Sequence, residues 1–216
     1  MEIERKYNAR TNVLKMFKDR GYFQLKKDVK ETGLIVPNKG DLIDIENNMS
    51  FEEFQILKEK NKDTDIYNIW NPFTKRFVYV IYSNDDKGLA STLYKTLSSI
   101  YSVKEDIVEK SLHIVIIATD ESYFKKLDSA NIEVFNLNKL AISYISHRYQ
   151  PIEIKLYRKT INTKEYADII EKFEAKTLKI IAKLDPITKY YNASIDDIFL
   201  FNSIEFRIVK NVIVKT

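Results

Sequence analysis

Apolar positions fall at helical spacing in some stretches and cluster at strand spacing in others. Val13, Leu14, Met16 and Phe17 line one face of a helix over residues 4–20, and Gly21 behind Arg20 supplies its stop. Residues 31–50 hold Gly33, Pro37, Gly40 and paired asparagines and read as loop. Ser50 with Glu53 has the spacing of a capping box that opens a helix through about Lys60. Residues 66–82 are aromatic and β-branched, and Asn71-Pro72 divides them into two strands. Leu89, Leu93, Tyr94, Leu97, Ile100 and Tyr101 share one helical face over 88–103. Leu112 to Ala118 is an apolar run broken only by His113, the mark of a strand covered on both faces. A short helix over 120–130, a strand at 132–135 and a helix at 137–145 follow. This alternation predicts an α/β sandwich with helices over a sheet.

After Pro151 the pattern shortens. A strand (152–157), a helix near 163–173 and a short helix opened by Asp185-Pro186 precede an alternating end. There Ile198, Leu200, Ile204, Phe206 and Ile208, then Val212 and Val214, predict a small β-meander turning at Asn202-Ser203. The expected domains are therefore 1–146, α/β, and 147–216, small α+β.

Composition removes most catalytic chemistry. The 216 residues include no cysteine, two histidines (His113, His147) and four glycines too scattered for a phosphate loop. The net charge is +4; residues 1–150 carry 23 basic and 22 acidic side chains, residues 151–216 carry 12 and 9. That is too mild for an autonomous nucleic-acid binder. MEIERKYNAR has no signal-peptide character, and no apolar run is long enough to span a membrane. No metal, cofactor or small-molecule substrate is expected.

Among local constellations, Glu153-Ile154-Lys155 on a strand matches part of the way metal-dependent nucleases hold Mg²⁺, with Asp120 or Asp128 as the further carboxylate. A Mg-dependent nuclease-like enzyme using Glu153 and Lys155 is thus the alternative reading; the ordinary one is an exposed pair alternating with Ile152 and Ile154. Asp85-Asp86 and Asp196-Asp197 read as turn residues. His113 reads as a hydrogen-bonded core histidine, and His147 as a structural hydrogen-bonder at the domain junction. Lys125-Lys126 reads as a solvated face or a phosphate contact.

Two segments carry a resemblance. Met16-Phe17-Lys18-Asp19-Arg20-Gly21-Tyr22-Phe23 resembles the opening of the fifth subunit of eukaryotic multisubunit RNA polymerases, where a helix runs into a D-R-G-Y turn. Leu184-Asp185-Pro186-Ile187-Thr188-Lys189-Tyr190-Tyr191 is similar to the D-P-[VI] segment of that subunit's C-terminal domain, which is shared with a small subunit of the archaeal polymerase. Thr163-Lys164-Glu165 to Phe173 resembles the family's T-x-E-E helix. Leu178-Lys179-Ile180 falls near its L-P-[KR]-I, and His147 and Pro151 near its H-x-L-V-P junction. The family's glycines after the tyrosines are missing from Tyr191-Asn192-Ala193-Ser194-Ile195-Asp196-Asp197, where Asn192 is suited to a left-handed turn. Its final loop is shortened to Phe201-Asn202-Ser203-Ile204-Glu205.

The resemblance implies a non-catalytic polymerase subunit. Its N-terminal jaw domain would have a nuclease-like but inactive fold and lie near downstream double-stranded DNA, with Ser122, Lys125 and Lys126 closest. Its C-terminal domain would dock on the largest subunit, with Asp185, Pro186, Tyr190 and Tyr191 serving assembly. The divergence and lysine-rich, isoleucine-rich composition point to a viral or otherwise fast-evolving polymerase; a viral homologue would be placed in the virion or host cytoplasm, a cellular one in the nucleus.

Overall fold

The computed structural model describes residues 2–26, 34–59, 68–83, 86–102, 104–127, 131–141, 153–174 and 177–212. The chain packs as two compact units, Met1–Ile142 and Ser143–Thr216. The boundary expected at 146, together with His147, Pro151, Asp85 and Asp128, lies outside the described residues.

Unit 1 opens with α1 (Glu2–Asp19), which buries Ala9, Val13, Leu14, Met16 and Phe17. Its end is a paired closure. The Gly21 N–H donates to the Lys18 carbonyl and the Tyr22 N–H to the Phe17 carbonyl, both at 2.9 Å, with Gly21 at φ 75°. A Cβ at Gly21 would meet the Phe73 ring at 3.5 Å, an ordinary contact, so the backbone conformation selects the glycine. The next helix, α2 (Phe51–Glu59), starts with the anticipated capping box. The Ser50 N–H donates to the Glu53 carboxylate at 2.8 Å, and the Glu53 N–H to the Ser50 hydroxyl at 3.2 Å.

The sheet of unit 1 comprises β1 (Phe23–Leu25), β2 (Leu42–Ile43), β3 (Ile69–Asn71), β4 (Arg76–Tyr82), β5 (Leu112–Ala118) and β6 (Ile132–Asn136). Their order is β2-β1-β3-β4-β5-β6, antiparallel up to β4 and parallel from β4 to β6. The parallel crossovers are α3 (Asp86–Tyr101) with α4 (Glu105–Ser111), and then a 3-10 helix (Glu121–Leu127). Phe77, Tyr79, Ile81, Leu112, Ile114 and Ile116 pack on one face against Leu93, Leu97, Val108 and Phe124. Every residue of β5 is buried, His113 included, as an apolar run covered on both faces requires. The last helix, α5 (Leu137–Ala141), packs on α1.

Beneath the end of α1 lies a buried polar network. Arg20, 0% exposed, grips Glu133 of β6 (11% exposed) with two hydrogen bonds of 2.8 and 2.9 Å. His113 Nε2 is 2.6 Å from the same carboxylate. Asn71 donates to the Tyr22 hydroxyl at 2.9 Å and lies 3.4 Å from His113 Nδ1. His113 is thus the hydrogen-bonded core histidine expected. Burial opposes ionisation of Glu133, yet the Arg20 charge and the His113 hydrogen bond hold its carboxyl well below the usual range.

Unit 2 contains β7 (Ile154–Tyr157), α6 (Thr163–Phe173), β8 (Lys179–Ala182), α7 (Pro186–Tyr190), β9 (Ile198–Phe201) and β10 (Glu205–Lys210). The sheet order is β7-β9-β10-β8. β9 and β10 form the expected hairpin, with Asn202 and Ser203 both at positive φ, the twist that two-residue hairpin turns favour. The meander does not continue past it. β10 ends at Lys210 and takes β8 as a parallel neighbour, Val212 joins no strand, and Val214 lies outside the described residues. Ile169 of α6 covers Tyr157, Leu178, Ile198 and Ile208.

The structure also adds β1, β2, β8 and α4 to the elements expected from sequence, and residues 120–130 form a 3-10 rather than an α-helix where they are described.

Candidate functional site

The candidate residues form two sets, one in each unit. In unit 1, Ser122 and Lys125 are exposed on the 3-10 helix that follows β5, while Phe124 between them is buried and anchors it. This helix lies at the carboxyl edge of the parallel strands, the edge where open α/β sheets present their ligand-binding loops. Asp120 organises the turn: its carboxylate accepts the Ser122 N–H at 2.8 Å. Hydrogen bonds from the Ser122 hydroxyl and N–H, and then the Lys125 charge, lower the pKa of Asp120. The Asp120 N–H in turn donates to the Asp86 carboxylate at 2.8 Å, at the start of α3. Asn136 donates to the Thr119 carbonyl at 2.9 Å, tying the loop after β6 to the loop after β5. Asp120 is therefore a turn residue that brings negative charge beside Lys125, while Asp86 is the first residue of α3 rather than the turn residue expected and tethers Asp120. The Lys126 side chain lies outside the described set.

In unit 2, Asp185, Pro186, Tyr190 and Tyr191 converge on α7. Asp185 caps the helix by accepting the Ile187 N–H at 3.0 Å, and Pro186 occupies the first helical position, where it forfeits no hydrogen bond. Tyr190 and Tyr191 are buried, with rings 5.2 Å apart at 66°, and Tyr191 meets the Phe199 ring of β9 at 5.6 Å. They hold the helix to the sheet rather than present it to solvent.

The sequence reading missed the residues that hold the turn after α7. Arg158, just past β7, donates to the Tyr191 carbonyl at 2.8 Å and the Asn192 carbonyl at 3.0 Å, and lies 3.7 Å from Asp197. Buried Asp197 accepts the Ser194 N–H at 2.8 Å and the Lys159 N–H at 3.1 Å. The Tyr166 hydroxyl donates to the Asp196 carbonyl at 2.8 Å. Asn192 (φ 47°) and Asp196 (φ 72°) take the left-handed conformation without glycine. Lys210 donates to the Asp196 carboxylate, which lowers its pKa. Asp196-Asp197 is thus a turn pair, as expected. Nothing in the spacing of Arg158 marked its role, since its partners lie 33 and 34 residues on.

Glu153 and Lys155 are exposed at and beside the start of β7. The Glu153 carboxylate accepts the Ser203 hydroxyl at 3.3 Å, and the Lys155 ammonium rests 4.8 Å above the Tyr157 ring. Among the described residues no group of three His, Cys, Asp or Glu side chains could hold a metal ion. No helix among them is long and apolar enough to cross a membrane.

No family model matches the chain. It is 24% identical over 203 residues to DNA-directed RNA polymerase V subunit 5A of Arabidopsis thaliana, covering 88% of this chain and 78% of that protein. It is 22% identical over 197 residues to subunit 5B of DNA-directed RNA polymerases IV and V of the same plant, covering 88% and 79%. The chain is thus similar, over most of its length, to two RNA polymerase subunits 5.

Proposed function

We propose that the chain is a non-catalytic structural subunit of a multisubunit DNA-dependent RNA polymerase. The observation that carries this is similarity over 88% of its length to two polymerase subunits 5. On this reading residues 147–216 are the assembly domain and dock on the largest subunit. Leu184, 92% exposed, precedes the helix capped by Asp185, and exposed Ile195 follows it; both are apolar side chains suited to a protein interface. Asp185, Pro186, Tyr190 and Tyr191 shape that surface from within.

Residues 1–146 are the jaw, an inactive nuclease-like sandwich near downstream DNA. Ser122, Lys125 and Lys126 would face the phosphates. Two or three such contacts bind weakly and lose affinity with salt, and the Asp120 charge beside Lys125 weakens them further. Within a polymerase that already grips its template, high local concentration makes them effective. The protein is located with its polymerase: in the nucleus for a cellular enzyme, in the virion or host cytoplasm for a viral one, the origin favoured by the divergence.

Affinity purification of the tagged chain from its source tests the proposal. The expected result is recovery of the large polymerase subunits in stoichiometric amount. A chain recovered without them would overturn it in favour of an unrelated two-domain interaction protein, and Mg²⁺-dependent DNA cleavage abolished by Glu153→Ala would overturn it in favour of the enzyme reading.

A further inference from the structure

We infer that unit 1 carries a docking groove for a basic, apolar-anchored segment of a partner protein, on a surface separate from the 3-10 helix bearing Ser122 and Lys125. The groove runs along β1, β2 and α2 as two recesses of about 500 and 480 Å³ that share Glu46 in their walls. Leu42 and Ile43 of the edge strand β2 line the first; Met49, Ile56 and Leu57 line the second. Ile43 is 40% exposed and Ile56 is 47% exposed, so apolar surface remains open in both.

Charge selects the occupant. Residues 41–59 carry six carboxylates and one lysine in a chain whose net charge is +4. Asp44, Glu46 and Glu53 stand in the groove walls. Among the described lining residues the one cation is Arg10, which donates to the Asn47 side chain at 2.7 Å and makes no ion pair with another described residue. Burial lowers its pKa. The lining is thus net negative around an apolar floor. It repels nucleic acid and fits lysine or arginine side chains flanking one or two aliphatic anchors. β2 is only two residues long, and among the described residues no strand pairs with its outer edge. This inference does not rest on the polymerase reading.

The test uses the full chain and a fluorescein-labelled nine-residue peptide of alternating leucine and lysine, read by fluorescence anisotropy. An alternating leucine–glutamate peptide and nonalysine serve as comparators. The leucine–lysine peptide is expected to bind. Asp44→Lys with Glu46→Lys should weaken binding at least about tenfold, and Ile56→Ser about fivefold. Ile107→Ser, which removes a comparably exposed aliphatic side chain from α4, should leave it unchanged. Circular dichroism confirms that each variant is folded. Equal binding of nonalysine would reduce the groove to non-specific charge attraction and overturn the inference. So would undiminished binding by the groove variants, or no binding at all. Sedimentation of the full chain is expected to show a monomer; a dimer split by Ile56→Ser would mean that a second copy covers the groove, and would also overturn it.

Discussion

Replacing Glu133 by alanine isolates the energetics of the buried network. The variant leaves the Arg20 guanidinium, 0% exposed, without the carboxylate that now takes two hydrogen bonds from it. Stranding one member of a buried pair costs about 3–5 kcal/mol, because the remaining charge loses its carboxylate and stays out of water. A domain of this size has a total stability of roughly 5–15 kcal/mol. At roughly 2 kcal/mol per molar urea, the unfolding midpoint of unit 1 should fall by about 1.5–2.5 M. The assay can be confined to that unit, because the chain's single tryptophan, Trp70, is buried in the core of unit 1 and its fluorescence reports that core alone. Arg20→Met with Glu133→Leu removes both charges and should recover at least half of the loss. A midpoint shift under about 0.3 M for Glu133→Ala, or a double variant no better than the single one, would refute the reasoning. The pH dependence has a defined sign. The Glu133 carboxyl in the fold lies well below the ordinary glutamate value of about 4.3. Its contribution is therefore complete above about pH 5 and is lost as pH falls below the unfolded value toward the folded one, a slope that Glu133→Gln should flatten.

Four further outcomes test other links. Gly21→Ala should cost about 1 kcal/mol in Trp70-monitored unfolding, since φ 75° disfavours an L-residue although the added Cβ only touches Phe73. Asn192→Gly should raise the thermal midpoint of unit 2 in calorimetry, by up to about 1 kcal/mol of relieved left-handed strain, because the carbonyl bond to Arg158 is kept. Arg158→Ala should destabilise unit 2 by about 2–4 kcal/mol and reduce polymerase recovery, while the Trp70 transition stays in place. Lys125→Ala, an exposed change, should stay within about 0.5 kcal/mol of the parent stability and lower polymerase recovery less than Pro186→Ala or Tyr190→Ala does.

Elements whose signals close within a few residues were legible from the sequence alone. The stop at Gly21 is made by its own bond to Lys18 and by that from Tyr22 to Phe17. The start of α2 needs only Ser50 and Glu53, and the start of α7 only Asp185, Pro186 and Ile187. β5 was legible because seven consecutive buried residues leave no alternative pattern. For the candidate site, the type of residue and its local turn were readable: Asp120 and Ser122 form one, and Asp196 and Asp197 another.

What escaped had partners far along the chain. β1 is three residues and β8 four, too short to show a period, and they exist because Phe23 meets Trp70 and Ile181 meets Val209. The burial of Arg20 is tolerable only because Glu133 arrives from 113 residues away. Likewise the inward packing of Tyr190 and Tyr191 against each other and Phe199 depends on β9, seven or more residues on. Residue types and local stops and starts were thus set by short-range backbone chemistry. Sheet order, the charged core and the latch at Arg158 came only with the tertiary structure. Their energies depend on which distant groups lose water together, and no local pattern encodes that pairing.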